Sequence, residues 1–316
     1  MSAKTSDLDA LSDELWQKGG VAGFVPTTLS ADMGVLQRAV TAIGGWIRRG
    51  KAPGAVPLGI HLEGPFISDQ AAGAHPPRSL RRLKLSELEA LWNASHGTLK
   101  ILTVAPELLS LSDLKRLGAF ARARRIRLSL GHSRATEAQS KLAFDHGFSG
   151  ITHCWNAHSF HHREAGPLGA GLGRKGVYPE LIIDQQHVSL TVIDWTRKLH
   201  PDGLCFVSDA TPAAGARGRT VSFGPDLKVR ERNGASRLAR GALAGGSLLL
   251  PEAFAKWLRS EHLRSGASLP DLFRRALPAL ARDPLRAIGL TTRSLQGKRL
   301  RWDVDWRGQP TFQRIR

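Results

Sequence analysis

The sequence predicts an α/β fold, a (β/α)8 TIM-like barrel, on three observations. Short apolar or β-branched runs alternate with longer helical stretches along most of the chain, which is the pattern of βα units around a parallel sheet. The length of 316 residues suits one large barrel or two smaller domains. Run after run also closes on a histidine or a carboxylate, at the strand ends where such barrels carry their chemistry.

In order along the chain, candidate strands cover residues 23–28, 58–63, 99–105, 126–132, 150–155, 180–185 and 204–209. Ser30 or Asp32 can cap a first crossover helix that runs to about Arg48. Further helices are expected over residues 86–92, 112–124, 135–144 and 191–199. The period then changes. Over about 217–241, Val221, Phe223, Leu227 and Val229 alternate with polar residues, and Asn233-Gly234 is a hairpin turn signal. The reading is a β-hairpin inserted after the 204–209 strand. Residues 251–290 are helical again, interrupted at Pro270, Pro278 and Pro284. Residues 300–315 have strand character without an obvious partner. The expected partition is a helical segment over 1–19, the barrel over 20–290 and a C-terminal tail over 291–316.

Composition narrows the class. Hydrophobic residues make up 41 % of the chain, enough for a sizeable core. No apolar run approaches the roughly 20 residues that span a bilayer. The polar, partly acidic N-terminus lacks the basic start and apolar stretch of a signal peptide, so the protein is expected in the cytoplasm. Cys154 and Cys205, each in an apolar stretch and without CxxC spacing, read as core residues. Lys and Arg total 45 against 27 Asp and Glu, a net charge of +18. Such a field favours anionic partners. Nucleic acid is disfavoured among these, because the basic runs are not interleaved with aromatics and no zinc-finger spacing occurs.

The candidate chemistry sits at the strand ends. Glu63 closes the second candidate strand, His132 the fourth and Asp209 the seventh; the fifth carries His153 followed by Asn156, and His187 follows the sixth. A lone histidine after a strand is usually structural. Five such residues at one end of one kind of element are costly to place there without use. Two imidazoles and a carboxylate suit Zn²⁺ and leave a position for water; Fe, Co or Mn remain alternatives. Such an ion acidifies its water, and a nearby carboxylate, Asp209, can take and return the proton.

These motifs resemble one family. His61-Leu62-Glu63-Gly64-Pro65-Phe66-Ile67 with Gly73-Ala74-His75, Gly131-His132-Ser133-Arg134-Ala135-Thr136, Thr152-His153-Cys154-Trp155-Asn156-Ala157, Ser208-Asp209-Ala210 and Leu243-Ala244-Gly245-Gly246-Ser247 are similar to the signatures of N-acetylglucosamine-6-phosphate deacetylases in the amidohydrolase superfamily. The resemblance runs from about residue 20 to about residue 290. It implies that Glu63, His132 and His153 ligate the metal and that Asp209 is the catalytic acid/base. It further implies that His75, Asn156, Ala157 and Arg163 bind the sugar phosphate, Arg163 from a neighbouring subunit of a homodimer. His187 would hold the substrate and polarise its acetamide carbonyl. The implied reaction yields glucosamine 6-phosphate and acetate, in amino-sugar catabolism. The family's first barrel strand and most of its small β-sandwich have no counterpart upstream of Gly23, so an N-terminally truncated barrel is expected, with the tail as a remnant of the sandwich. Rival readings are an amidohydrolase for another N-acyl sugar or amide, a catalytically impaired relative, and, remotely, a nucleic-acid-binding protein.

Overall fold

The structure, a computed structural model, describes residues 4–216, 218–224, 227–304 and 310–315. The chain opens with helix α1 (Thr5–Gln17). The first candidate strand is broken at Val25-Pro26 into β1 (Gly23–Phe24) and β2 (Thr27–Thr28), and helix α2 (Met33–Arg48) follows. The second is broken at Gly59 into β3 (Val56–Pro57) and β4 (Ile60–Glu63). The two breaks lie side by side: β1 pairs with β3, and β2 with β4. Proline lacks the N–H that a ladder needs, and Gly59 takes a φ of 137°, outside the range of ordinary strands.

Regular βα units follow: α3 (Leu85–Ala94), β5 (Leu99–Val104), α4 (Leu111–Arg124), β6 (Arg127–Leu130), α5 (Glu137–Asp145), β7 (Phe148–Ile151), α6 (Gly166–Gly171), β8 (Tyr178–Ile182), α7 (Leu190–Leu199) and β9 (Cys205–Val207). Strands β2, β4, β5, β6, β7, β8 and β9 form one all-parallel sheet in sequence order, which is a TIM-like barrel sheet. Its end strands, β2 and β9, do not pair with each other among the described residues. The sheet curls nonetheless: Asp209, just beyond β9, feels the charge of Glu63 on β4.

Several expectations need correction. The insertion is a four-stranded antiparallel meander, β10 (Thr220–Ser222), β11 (Lys228–Arg232), β12 (Ala235–Leu238) and β13 (Leu243–Gly246), and not a single hairpin. Its predicted first residue, Arg217, lies outside the described residues. Asn233 and Gly234 both take positive φ at the β11–β12 turn, as a two-residue hairpin turn requires. Neither candidate cap works on α2, whose N-cap Asp32 makes no side-chain bond; Ser30 is committed to His75. The late prolines start elements instead of interrupting one. Helix α8 (Leu250–Ser265) precedes α9 (Leu269–Leu277), which has Pro270 in its first turn. Pro278 opens a π-helical turn, and Pro284 stands in the first turn of α10 (Asp283–Ala287). The tail, expected as a remnant of the sandwich, finds its partner in itself, as the hairpin β14 (Arg299–Val304) and β15 (Pro310–Ile315); residues 305–309 lie outside the described residues.

Two apolar cores result. One packs α2, α3, α4 and α5 on β4 to β7 through residues such as Leu36, Leu62, Leu91, Leu102 and Leu128. The other packs α8 and α9 on β8 and β9, with Trp257 stacked on Phe254 at 5.6 Å and tilted on Phe206. Both cysteines are buried and free. The terminal hairpin bridges the first and last parts of the barrel: Trp302 meets Phe254 on α8 at 5.8 Å, and the Phe312 ring leaves no room for a side chain at Gly20. No described helix is long and apolar enough to cross a membrane.

Candidate metal centre

The strands stop short of the residues that matter. β6 ends at Leu130, β7 at Ile151 and β9 at Val207; His132, His153 and Asp209 each lie two residues further on. All three have positive φ, 48°, 30° and 46°. A non-glycine residue pays steric energy for this conformation and keeps it where its surroundings enforce it. The turn it makes swings each side chain into the mouth of the sheet, above Glu63, the last residue of β4.

There Glu63, His132 and His153 form a buried cluster whose ligand atoms lie within 4.8 Å of one another. Glu63 Oε1 is 3.1 Å from His132 Nε2 and 2.9 Å from His153 Nε2, and the two Nε2 atoms are 3.0 Å apart. The far nitrogens are occupied. His132 Nδ1 donates to the Ala71 carbonyl at 2.8 Å, and His153 Nδ1 to the Asn156 carbonyl at 3.1 Å. Carbonyls accept only, so each neutral ring keeps its proton on Nδ1 and turns an Nε2 lone pair inward. Two imidazole lone pairs and a carboxylate oxygen therefore converge on one small volume. That arrangement could hold a cation, and the donor set fits a divalent ion with one open position.

Protonation in the metal-free cluster follows. Burial disfavours the charged form of Glu63, but the hydrogen bonds of His132, His153 and His75 outweigh it and hold the carboxyl well below the usual range. Burial drives His132 down to about 4. Burial also opposes charge on His153, yet its hydrogen bond to Glu63 carries it up to about 9. One proton, on His153, thus stands where an ion would.

The other candidates surround this cluster. Burial, reinforced by Glu63, raises Asp209 to about 7, which leaves its carboxyl able to take and give a proton near neutrality. Gly245 on β13 takes a φ of +101°, and a Cβ there would lie 2.8 Å from the Asp209 carbonyl and 3.2 Å from Oδ2. His75 lies in the loop after β4. Its Nδ1 accepts from the Ser30 N–H at 3.2 Å, so its Nε2 carries the proton, 3.9 Å from Glu63 Oε1. His187 donates from Nδ1 to Asp184 Oδ2 at 2.7 Å, and its Nε2 is buried without a partner among the described residues. Asn156 and Ala157 sit in the turn after His153, half-buried, with Ala157 at a φ of 57°. Arg163 is exposed on the segment after that turn, its guanidinium against His162; His161 and His162 are exposed there as well.

Residue types alone did not single out the supports. Ser30 seats His75. Asp184 seats His187. Beneath the ligands, His61 Nε2, Thr103, Thr152 and Ser129 form a buried chain with 2.7 Å links, and Arg127 pairs with Glu180 at 3.2 Å. Alternation of the strands could have flagged these inward polar residues.

N-acetylgalactosamine-6-phosphate deacetylase of Escherichia coli O157:H7 is 37 % identical over 240 residues, 74 % of this chain and 61 % of that protein. N-acetylglucosamine-6-phosphate deacetylase of Bacillus subtilis is 33 % identical over 257 residues, 80 % of this chain and 63 % of that one. The crystal structure of the Thermotoga maritima N-acetylglucosamine-6-phosphate deacetylase superposes with a TM-score of 0.77 at 30 % identity, over 90 % of this chain and 73 % of that one. The chain belongs to the N-acetylglucosamine-6-phosphate deacetylase family. A Mycobacterium smegmatis member, solved in complex with N-acetyl-D-glucosamine-6-phosphate, has a TM-score of 0.79 at 27 % identity, over 90 % of this chain and 71 % of that one. No protein-family model matches the chain. It spans about three fifths of the length of the curated family members it matches.

Proposed function

We propose that the protein hydrolyses the N-acetyl group of N-acetylglucosamine 6-phosphate, in amino-sugar catabolism, releasing acetate and glucosamine 6-phosphate. The observation that carries this reading is the convergence of Glu63, His132 and His153 on one volume, faced by a carboxyl, Asp209, raised to about 7. Glu63, His132 and His153 would hold the ion, zinc by the donor set, with iron, cobalt or manganese as alternatives. A bound divalent ion supplies Lewis-acid activation of water and of the amide carbonyl. Asp209 takes a proton from the attacking water and delivers it to the departing amine nitrogen as the C–N bond breaks. His187 Nε2 donates to the acetamide oxygen as negative charge develops there. His75, Asn156 and Ala157 bind the sugar phosphate from the loops after β4 and β7. The exposed position of Arg163 suits service to a neighbouring copy in a homodimer. The net charge of +18 draws a phosphorylated substrate in.

The 37 % identity to an N-acetylgalactosamine-6-phosphate deacetylase favours a second reading, the C4 epimer as substrate. The test is acetate release from both 6-phosphates by purified protein, with metal content measured on the same sample. Release that stops with chelator and returns with Zn²⁺ is expected. Bound metal with no release from either sugar overturns the substrate assignment.

A further inference from the structure

The turn that carries His187 is held more tightly than a loop needs. Asp184 is 1 % exposed. Its Oδ1 accepts the main-chain N–H groups of Gln186 at 2.8 Å and His187 at 2.9 Å, and its Oδ2 accepts His187 Nδ1–H at 2.7 Å. From the opposite side α8 grips the same turn with two residues one helical turn apart. Lys256 Nζ donates to the Asp184 carbonyl at 2.7 Å, and Ser260 Oγ donates to Gln185 Oε1 at 3.1 Å. All this order surrounds a ring whose remaining nitrogen, Nε2, is buried and meets no partner among the described residues. Burying a polar atom without a partner is costly, so the atom points to a ligand.

We propose that Asp184 is a positioning residue that locks the His187 ring through Nδ1–H and keeps Nε2–H available as a donor to the substrate's amide oxygen, with Lys256 pinning the Asp184 main chain. The proposal rests on the deacetylase reading. With Nδ1–H bonded to Asp184, the ring donates from Nε2 only when it carries both protons. The groups facing His187 are Asp184 in its own turn and Asp209 from the end of β9; Lys256 of α8 stands behind Asp184.

The test compares metal-loaded wild type with Asp184→Asn and Lys256→Met. Asp184→Asn is expected to lower kcat about 100-fold, the range of a lost acid/base contribution, with KM and metal content unchanged. The alkaline fall of its kcat profile should move to lower pH by about one unit or more. A lesion that only loosened the turn would lower kcat at every pH without moving that limb, and this result overturns the proposal, as does unchanged kcat. Nitrogen NMR of the histidine side chains, with His187→Gln for assignment, should show a strongly deshielded Nδ1–H that Asp184→Asn loses; an unprotonated Nδ1 in the wild type overturns it. The spectrum decides the ring geometry even if no acetate is released, so failure of the deacetylase reading and failure of this one are told apart. Should Asp184→Asn not fold, Lys256→Met carries the test: a smaller fall in kcat with the same shift of the limb supports the proposal, and none overturns it.

Discussion

Metal binding by this site should release a proton. In the metal-free cluster His153 holds its proton up to about 9, through its bond to Glu63, while His132, at about 4, is neutral across most of the working range. Of the three groups in the cluster, only His153 must give up a proton, from Nε2, to an ion between pH 5 and 7; a proton driven from Asp209 by the ion's charge would add to the count. One proton exchanged for one ion gives a tenfold gain in apparent affinity per pH unit. Over those two units the affinity should rise about 100-fold, equivalent to about 2.7 kcal/mol. Competition against a chromophoric chelator gives the affinity at each pH, and calorimetry in buffers of different ionisation heat counts the protons. Below about pH 4 the slope should steepen as His132 charges too. Affinity independent of pH between 5 and 7, or no proton released, would refute the placement of the proton and with it the lone-pair argument for the cluster.

Other consequences are as direct. In the metal-free protein the raised His153 contributes stability that is full below its unfolded value of about 6.5 and is lost as pH rises through about 9. Asp209, raised by burial, opposes folding increasingly as it ionises on the way up to about 7. Asp209→Asn should therefore raise the metal-free Tm at pH 8 while abolishing acetate release and leaving bound metal intact; retained turnover removes Asp209 from the mechanism. Arg127→Met strands Glu180 inside the barrel and should cost about 3–5 kcal/mol in urea unfolding, whereas Arg127→Met with Glu180→Leu should recover most of it; equal losses would show the pair is not a unit. Gly245→Ala adds a methyl against Asp209 at a φ ordinary residues avoid, and should lower kcat about 100-fold with normal metal content. Full activity in that variant would show that β13 does not set the place of Asp209.

The barrel was legible because its units are local. Each strand from β4 to β8 carries its own apolar run and is followed by its own crossover helix, and period finds all of these except the short α6. The strand-end residues were legible for the same reason: Glu63, His132, His153 and Asp209 interrupt apolar runs. What sequence could not give is the relation between distant elements. That Ser30 would abandon the cap of α2 for a histidine in the loop after β4 depends on the curl of the sheet. That residues 228–246 would extend a hairpin to four strands depends on β13 finding Asp209: Gly246 N–H donates to the Asp209 carbonyl at 2.8 Å. The late prolines misled because proline in a first helical turn and proline that breaks a helix look alike until the capping residue is seen.

The meander also touches the other side of the mouth. Ala74 packs against its apolar face, and Arg240 donates to the Gly73 carbonyl at 3.1 Å, while its last strand seats Asp209. It thus works as a clasp between the two ends of an open collar. Glu63, His132 and His153 all stand on one side of the opening, at the ends of β4, β6 and β7, and Asp209 stands on the other. Loosening the clasp would leave the grip on the ion intact and lengthen the gap across which a proton must pass. On the proposed function, affinity for the ion and speed of the reaction would be set by separate parts of the chain.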